Sequence, residues 1–391
     1  MSLLVVAGEP SGDRAAADVL TSLRTAGFSS SIVGFGGKAM TKRESHISNI
    51  ADRATMGFSD LSTRLLSFGR SLFDVEETLR KKSVSTALLV HFTEFNKQVA
   101  ALLKRRGVRV VWYIAPQVWA WRPSRAKDFR KIVDQMAVIF PFELPLWTNA
   151  GIDTRFVGHP SLDVEGLPRN VARDRMGLTR FAPTLALLPG SREKEIRSLL
   201  PLMCEAFQAL RSEYGAVDAR VLLTESVSHE LFQWASDVAA KARISVYATS
   251  PDRGAAEVLR AFDLAWVCSG TATLETALAD VPSVILYPTS RAEELLRSKL
   301  LEVKWVGLPN ILLERAAIPE LLGDVSVASI LRASEPTMEQ AFDRLSALLP
   351  ETGRFVSAKT EGARLRKMLK PVSARMHESV ADRVASLVLA R

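Results

Sequence analysis

A histidine stands where an apolar run gives way to a helix. In LLVHFTEFNKQ, residues 88–98, Ala87–Val90 reads as the apolar heart of a buried strand, and Asn96–Arg106 reads as helical. His91 and Glu94 lie at the handover. In open α/β sheets that edge is where ligands bind. Three further stretches share this strand–turn–helix grammar. In VAGEPSGD (6–13), Gly8 and Gly12 permit unusual backbone angles and close approach, and Ser11 or Asp13 can cap the following helix. The stretch matches neither G-x-G-x-x-G nor a Walker loop, so it indicates no dinucleotide or ATP site. In LALLPGSREKEIRSLLPLM (185–203), Gly190 and Ser191 enter a helix whose free N–H groups suit a phosphate, and Arg192 adds a forked cation. An arginine at a helix start is unfavourable unless an anion is near. In VCSGTATLETALADVPSVILYP (267–288), Ser269, Gly270 and Thr271 bring small hydrogen-bonding groups to a helix start. Glu275 follows on the same helical face, where a carboxylate can accept both hydroxyls of a ribose. The same residues also make good helix caps, so a purely structural reading stands beside the binding one.

Two stretches point elsewhere. YIAPQVWAWRPSRAKDFRK (113–131) sets Trp119 and Trp121 among Arg122, Arg125, Lys127, Arg130 and Lys131. Aromatics among cations fit nucleic acid, but no recognition-helix or RNA-binding motif accompanies them. In MGFSDLSTRLLSFGRSLFDVEETLRKK (56–82), Phe58, Leu61, Leu65, Phe68 and Leu72 begin a stripe at helical spacing, flanked by basic residues. The stripe is read as a core helix or as a helix resting in a membrane interface.

These pieces need a scaffold of strands and helices. Short apolar runs alternate with helix-length segments: near Leu3–Ala7, Ser31–Phe35, Ala87–Val90, Val108–Tyr113, Met136–Phe140 and Arg155–Val157, then Leu185–Leu188, Ala219–Leu223, Ile244–Tyr247, Leu264–Val267 and Ser283–Tyr287. The fold class expected is α/β, with two doubly wound Rossmann-like domains facing a cleft and a helical C-terminal tail. The boundaries are 1–160, a Pro- and Gly-rich linker 161–183, 184–325 and a tail 326–391, with an all-helical pattern after Ser290. A chain of 391 residues, 47% hydrophobic, supports two cores and excludes wholesale disorder. Its two cysteines, Cys204 and Cys268, exclude a disulfide framework and point to a reducing compartment. The net charge of +8 sits in the first part: residues 1–157 hold 22 Lys/Arg against 14 Asp/Glu, and the rest is balanced. Such a half suits phosphorylated ligands, an anionic membrane surface or nucleic acid. The apolar start LLVVA is too short for a signal core or a membrane span.

Eight runs in order, AGEPSGD, MGFSD, APQVWAWR, FPFE, FVGHP, LALLPGSREKEI, SGTATLETAL and LPNILLER, resemble the bacterial lipid-A-disaccharide synthase family from about Val5 to Leu322. The resemblance implies a GT-B-type enzyme of lipid A biosynthesis, cytoplasmic and peripheral to the inner membrane. It would join UDP-2,3-diacylglucosamine to 2,3-diacylglucosamine 1-phosphate, inverting the anomeric centre and releasing UDP. The family's nucleotide site carries over to Arg192, Ser269, Gly270, Thr271, Glu275 and, in LPN, Asn310. No Asp-x-Asp occurs, so no metal and no cofactor is expected. The family usually has IDAPDFN or IDSPDFN where this chain has VHFTEFN, so its general-base aspartate falls on His91 and the next acid on Glu94. Histidine is itself a suitable base near neutral pH. The rival readings are another GT-B sugar-nucleotide enzyme, an epimerase included, and a basic nucleic-acid-binding protein.

Overall fold

The computed structural model describes residues 2–49, 61–120, 123–289, 304–323, 325–347, 353–375 and 377–390; residues 49, 61–68, 343–347 and 353–354 are described by their backbone alone. Two compact units emerge: Met1–Asp163 with Met368–Arg391, and Val164–Lys367.

The first unit runs β1 (Ser2–Ala7), α1 (Pro10–Thr25), β2 (Ile32–Gly36), α2 (Lys38–Arg43), β3 (Ile47–Asn49), α3 (Leu61–Lys81), β4 (Val84–Val90), α4 (Thr93–Arg105), β5 (Arg109–Tyr113), α5 (Ala126–Phe129), β6 (Gln135–Val138), α6 (Glu143–Asn149) and β7 (Asp153–Phe156). Its sheet is parallel in the order β3-β2-β1-β4-β5-β6-β7, so the strand order reverses between β1 and β4. A parallel sheet covered on both faces needs strands that are apolar throughout. Leu3–Ala7, Ala87–Val90 and Val110–Tyr113 meet that need and are buried end to end. Each fully buried Leu or Phe of this layer contributes roughly 1.5–3 kcal/mol. Helix α4 lays Phe95, Val99 and Leu103 on the core and ends in Lys104 and Arg105, which complement its dipole.

The second unit repeats the plan with α7 (Arg169–Met176), β8 (Thr184–Leu188), α8 (Glu193–Tyr214), β9 (Asp218–Thr224), α9 (His229–Lys241), β10 (Ser245–Thr249), β11 (Leu264–Cys268), α10 (Thr271–Leu278), β12 (Ser283–Pro288), α11 (Leu308–Leu313), β13 (Glu320–Gly323), α12 (Val327–Ala347) and most of α13 (Gly353–Leu369). Its parallel order is β10-β9-β8-β11-β12-β13, reversing between β8 and β11. The expected strands are found with ends shifted by a few residues. Two short edge strands, β3 and β13, escaped the sequence reading. The pattern after Ser290 is therefore not wholly helical: Glu320–Gly323 pairs with Ile285–Pro288.

Within 161–183, expected as a linker, α7 is anchored rather than free. Arg173, buried, donates to Asp263 at 2.9 Å and to the Thr184 hydroxyl at 3.0 Å. The segment 326–391 is shared. Helices α12 and α13 go with the second unit up to Lys367, and α14 (Val380–Leu389) goes with the first. Asp163 accepts the Val380 N–H of α14 at 2.8 Å, and the Arg109 guanidinium donates to the Leu387 carbonyl at 2.9 Å.

Candidate nucleotide-sugar and catalytic loops

In the first unit the reversal of strand order brings together the loops that follow β1 and β4, the place where open α/β sheets bind ligands. His91 sits there with φ 48° and Phe92 with φ 49°, two consecutive left-handed residues that are not glycine. Such a pair is strained by about 1–2 kcal/mol per residue, so something must hold it. Asn96, wholly buried on α4, donates its amide to the carbonyls of Val90 at 3.2 Å and His91 at 2.8 Å. The His91 N–H donates to Tyr113 at 2.9 Å. The turn thus projects the imidazole toward the β1 loop, where a Cβ on Gly12 would touch His91 Cβ at 3.5 Å. Gly8 is required for a similar reason: a Cβ there would lie 2.3 Å from the Phe92 ring.

The carboxylate beside His91 is Glu9, a residue the sequence reading passed over although it stands in VAGEPSGD. His91 Nδ1 lies 3.2 Å from Glu9 Oε2, close enough to pair with an imidazolium but not aligned as a hydrogen bond. Glu94 is exposed on the first turn of α4. Asp13 does not cap its own helix. Its buried carboxylate accepts the N–H groups of Gly37 (2.6 Å), Ala39 (2.8 Å) and Met40 (3.3 Å), capping α2 across the sheet edge. Burial raises its pKa and those three donors lower it, with burial prevailing. Ser11 lies half-buried in the first turn of α1, which starts at Pro10 without a side-chain cap.

The loops after β5, β6 and β7 carry residues 115–120 of APQVWAWR, together with FPFE and FVGHP, to the same edge of the sheet. Glu143, 1% exposed, accepts the N–H groups of Ile139 (3.2 Å) and Phe140 (3.1 Å) and the Trp119 indole N–H (3.2 Å). Burial outweighs these three donors and pushes its carboxyl up to about 8. His159 is buried against Phe140, and its Nδ1 accepts the Ser161 N–H at 3.2 Å, so burial holds it neutral down to about 3. Neither residue was singled out from the sequence; an acid inside the apolar run IFPFELPLW was the available signal. Trp121 and Arg122 lie outside the described residues.

Phe58 also lies outside the described residues, and the side chains of Leu61, Leu65 and Phe68 on α3 are not described. Leu72 packs with Val75 and Leu79 against the core, because all three share one face of α3. Phe73, on the other face, is 62% exposed. Among the described residues no helix is long and apolar enough to cross a membrane.

In the second unit the reversal lies between β8 and β11, and the two turns suited to phosphate follow those two strands. Gly190, at φ 112°, leads into Ser191 and Arg192, the N-cap of α8. The anion that the sequence demanded near Arg192 is the protein's own Glu195. Its Oε2 accepts the N–H groups of Ser191 and Arg192, both at 3.2 Å, and its Oε1 accepts Arg192 Nη1 at 3.0 Å. The Arg192 side chain remains 75% exposed. After β11, Gly270 takes φ 148° and caps α10, with Thr271 half-buried at its start and Glu275 buried one turn on. The Ser269 hydroxyl donates to the Val306 carbonyl at 2.9 Å. Asn310 is spent on the fold. Its Nδ2 donates to Ile318 (2.7 Å) and Glu320 (2.8 Å), and its Oδ1 accepts from Ala317 (2.9 Å) and Ile318 (2.8 Å). Glu320 also accepts the Val306 and Gly307 N–H groups, so this pair shapes the turn that meets Ser269. Both thiols are raised by burial, Cys204 to about 11 and Cys268 to about 12.

The lipid-A-disaccharide synthetase family profile matches residues 3–358. The chain belongs to the lipid-A-disaccharide synthase family. The synthase of Myxococcus xanthus is 35% identical over 91% of this chain and 95% of its own length, and that of Geobacter sulfurreducens is 31% identical over 99% and 96%. In its fold the chain is similar to UDP-GlcNAc 2-epimerase of Neisseria meningitidis, solved with UDP-GlcNAc bound (TM-score 0.57, 11% identity, covering 94% of this chain and 100% of that one). It is also similar to MurG of Acinetobacter baumannii (TM-score 0.50, 12% identity, 99% of each). Membership makes the chain a UDP-sugar-dependent glycosyltransferase of lipid A biosynthesis, with the two-sheet GT-B fold. It also explains where the family's motifs fall. Six of the eight runs straddle or follow the ends of β1, β5, β6, β7, β8 and β11, the edges that present side chains to ligands. The MGFSD run lies outside the described residues.

Proposed function

We propose that the chain transfers 2,3-diacylglucosamine from UDP to the 6-hydroxyl of 2,3-diacylglucosamine 1-phosphate, working at the anionic inner face of a membrane. The observation that carries this reading is the placement of Gly190–Arg192 and Ser269–Thr271 on either side of the strand reversal in the second unit. Backbone N–H groups and helix starts at such a place hold phosphates. Arg192 stabilises the charge that grows on UDP as the anomeric C–O bond breaks. Glu275 accepts the ribose hydroxyls. Asn310 acts through the turn it shapes rather than by touching the nucleotide.

His91 takes the proton from the acceptor hydroxyl as that oxygen bonds to the anomeric carbon. Since Nδ1 faces Glu9, the proton arrives at Nε2, and the Glu9 carboxylate orients the ring and stabilises the imidazolium. Glu94, exposed and outside this pair, has the lesser part. Acyl chains of both substrates, and exposed Phe73 beside the basic stretch of α3, support a membrane-peripheral location.

The deciding experiment is turnover of the two diacylated sugars, following UDP and disaccharide. Relative to wild type, His91→Ala lowers the rate by about 10²–10⁴-fold with UDP affinity retained. His91→Asp, which restores the family residue, recovers part of the loss. Wild-type turnover in His91→Ala would make His91 a packing residue and end the proposal for its role.

A further inference from the structure

Every donor that the β8–α8 turn offers to a phosphate, among those with a described partner, is held by one carboxylate. Glu195 accepts the Ser191 N–H and the Arg192 N–H on one oxygen and the Arg192 guanidinium on the other. The side chain also fills the space that a glycine leaves open. A Cβ on Gly190 would lie 2.5 Å from Glu195 Oε2 and 2.8 Å from Glu195 Cβ. A carboxylate and a phosphate oxygen are acceptors of the same kind, so the two compete for one set of donors.

We infer that Glu195 is an internal surrogate for the nucleotide's phosphate, holding the donors of this turn until the diphosphate displaces it and reclaiming them when UDP leaves. The inference rests on the reading that this turn binds the diphosphate. Like charges cannot share the cradle, and a diphosphate, with more charge and more acceptor oxygens, wins it. The Glu195 side chain is 26% exposed, so it has water to turn into. Its field also reaches the second turn: after burial, Glu195 is the next cause raising the thiol of Cys268, the neighbour of Ser269. The surrogate keeps the turn shaped for an anion and lowers nucleotide affinity, since only the displaced fraction is competent to bind.

The test is calorimetric titration of the full chain with UDP for wild type, Glu195→Gln and Glu195→Ala. Glu195→Gln keeps the size and an acceptor oxygen but loses the charge. Its UDP dissociation constant is expected to fall roughly five- to tenfold, as for a competent state raised from a tenth or a fifth of molecules to nearly all. The constant for product inhibition by UDP falls by the same factor. Glu195→Ala, which also removes a cap, melts earlier yet binds UDP more tightly than wild type. Unchanged or weaker UDP binding in folded Glu195→Gln overturns the inference and leaves Glu195 a helix cap. If wild type and both variants all fail to bind UDP, the nucleotide reading of the turn falls, and this inference with it.

Discussion

Replacing Glu143 with glutamine tests how burial tunes the edge where the FPFE and FVGHP motifs meet. The Glu143 carboxyl is raised from 4.5 to about 8 in the folded chain, so between those values the folded state holds a proton that the unfolded state has lost. Its stabilising effect is therefore full below 4.5 and is lost as pH rises toward 8. His159 is lowered from 6.5 to about 3, so its effect is full above 6.5 and is lost as pH falls. Between 4.5 and 6.5 the two slopes oppose each other and offset. Above 6.5 Glu143 acts alone. At about 1.36 kcal/mol per pH unit, wild type loses on the order of 2 kcal/mol between pH 6.5 and 8. Glu143→Gln carries a neutral amide of like size, with its oxygen kept for the Ile139 and Phe140 N–H groups and no proton to lose. Its stability is then flat across that window. Urea unfolding of both proteins at the two pH values reads the difference. An equal fall in wild type and Glu143→Gln would refute the assignment of the slope to this carboxyl.

Glu9→Gln is expected to lower kcat about tenfold, by removing the carboxylate that faces the imidazolium formed in the transition state, whereas Glu94→Gln leaves it nearly unchanged; equal effects in a turnover assay would argue against the Glu9 pair. Asn310→Ala strips four internal hydrogen bonds and should cost on the order of 3 kcal/mol in thermal or urea unfolding, with UDP affinity falling as the turn relaxes. Wild-type stability in that variant would mean that the turn is held by other contacts. Phe73→Ser removes an exposed apolar side chain worth up to about 2–3 kcal/mol if it enters a bilayer, so partition onto anionic vesicles should drop on the order of tenfold or more while the melting temperature holds. Unchanged vesicle binding would place the membrane contact elsewhere.

Much of the plan was legible because it is local. Leu3–Ala7, Ala87–Val90 and Leu264–Val267 read as strands from composition alone, since a parallel sheet buries both faces of each strand. The turns at Gly190 and Gly270 were equally plain, because a left-handed or otherwise open φ is a demand that glycine answers on the spot. The edge strands Ile47–Asn49 and Glu320–Gly323 were not legible: they are short, and pairing with a neighbour, not composition, makes them strands. Tertiary structure alone decided which partner each polar group has. Asp13 caps α2 and not its own helix, α14 rejoins the first unit, and Asn310 turns inward. The histidine at the end of β4 shows the division. Its type and its place at a sheet edge were written locally, but its carboxylate is Glu9 and not the nearby Glu94. That choice was made by the pairing of β1 with β4, which sets two loops far apart in the chain side by side.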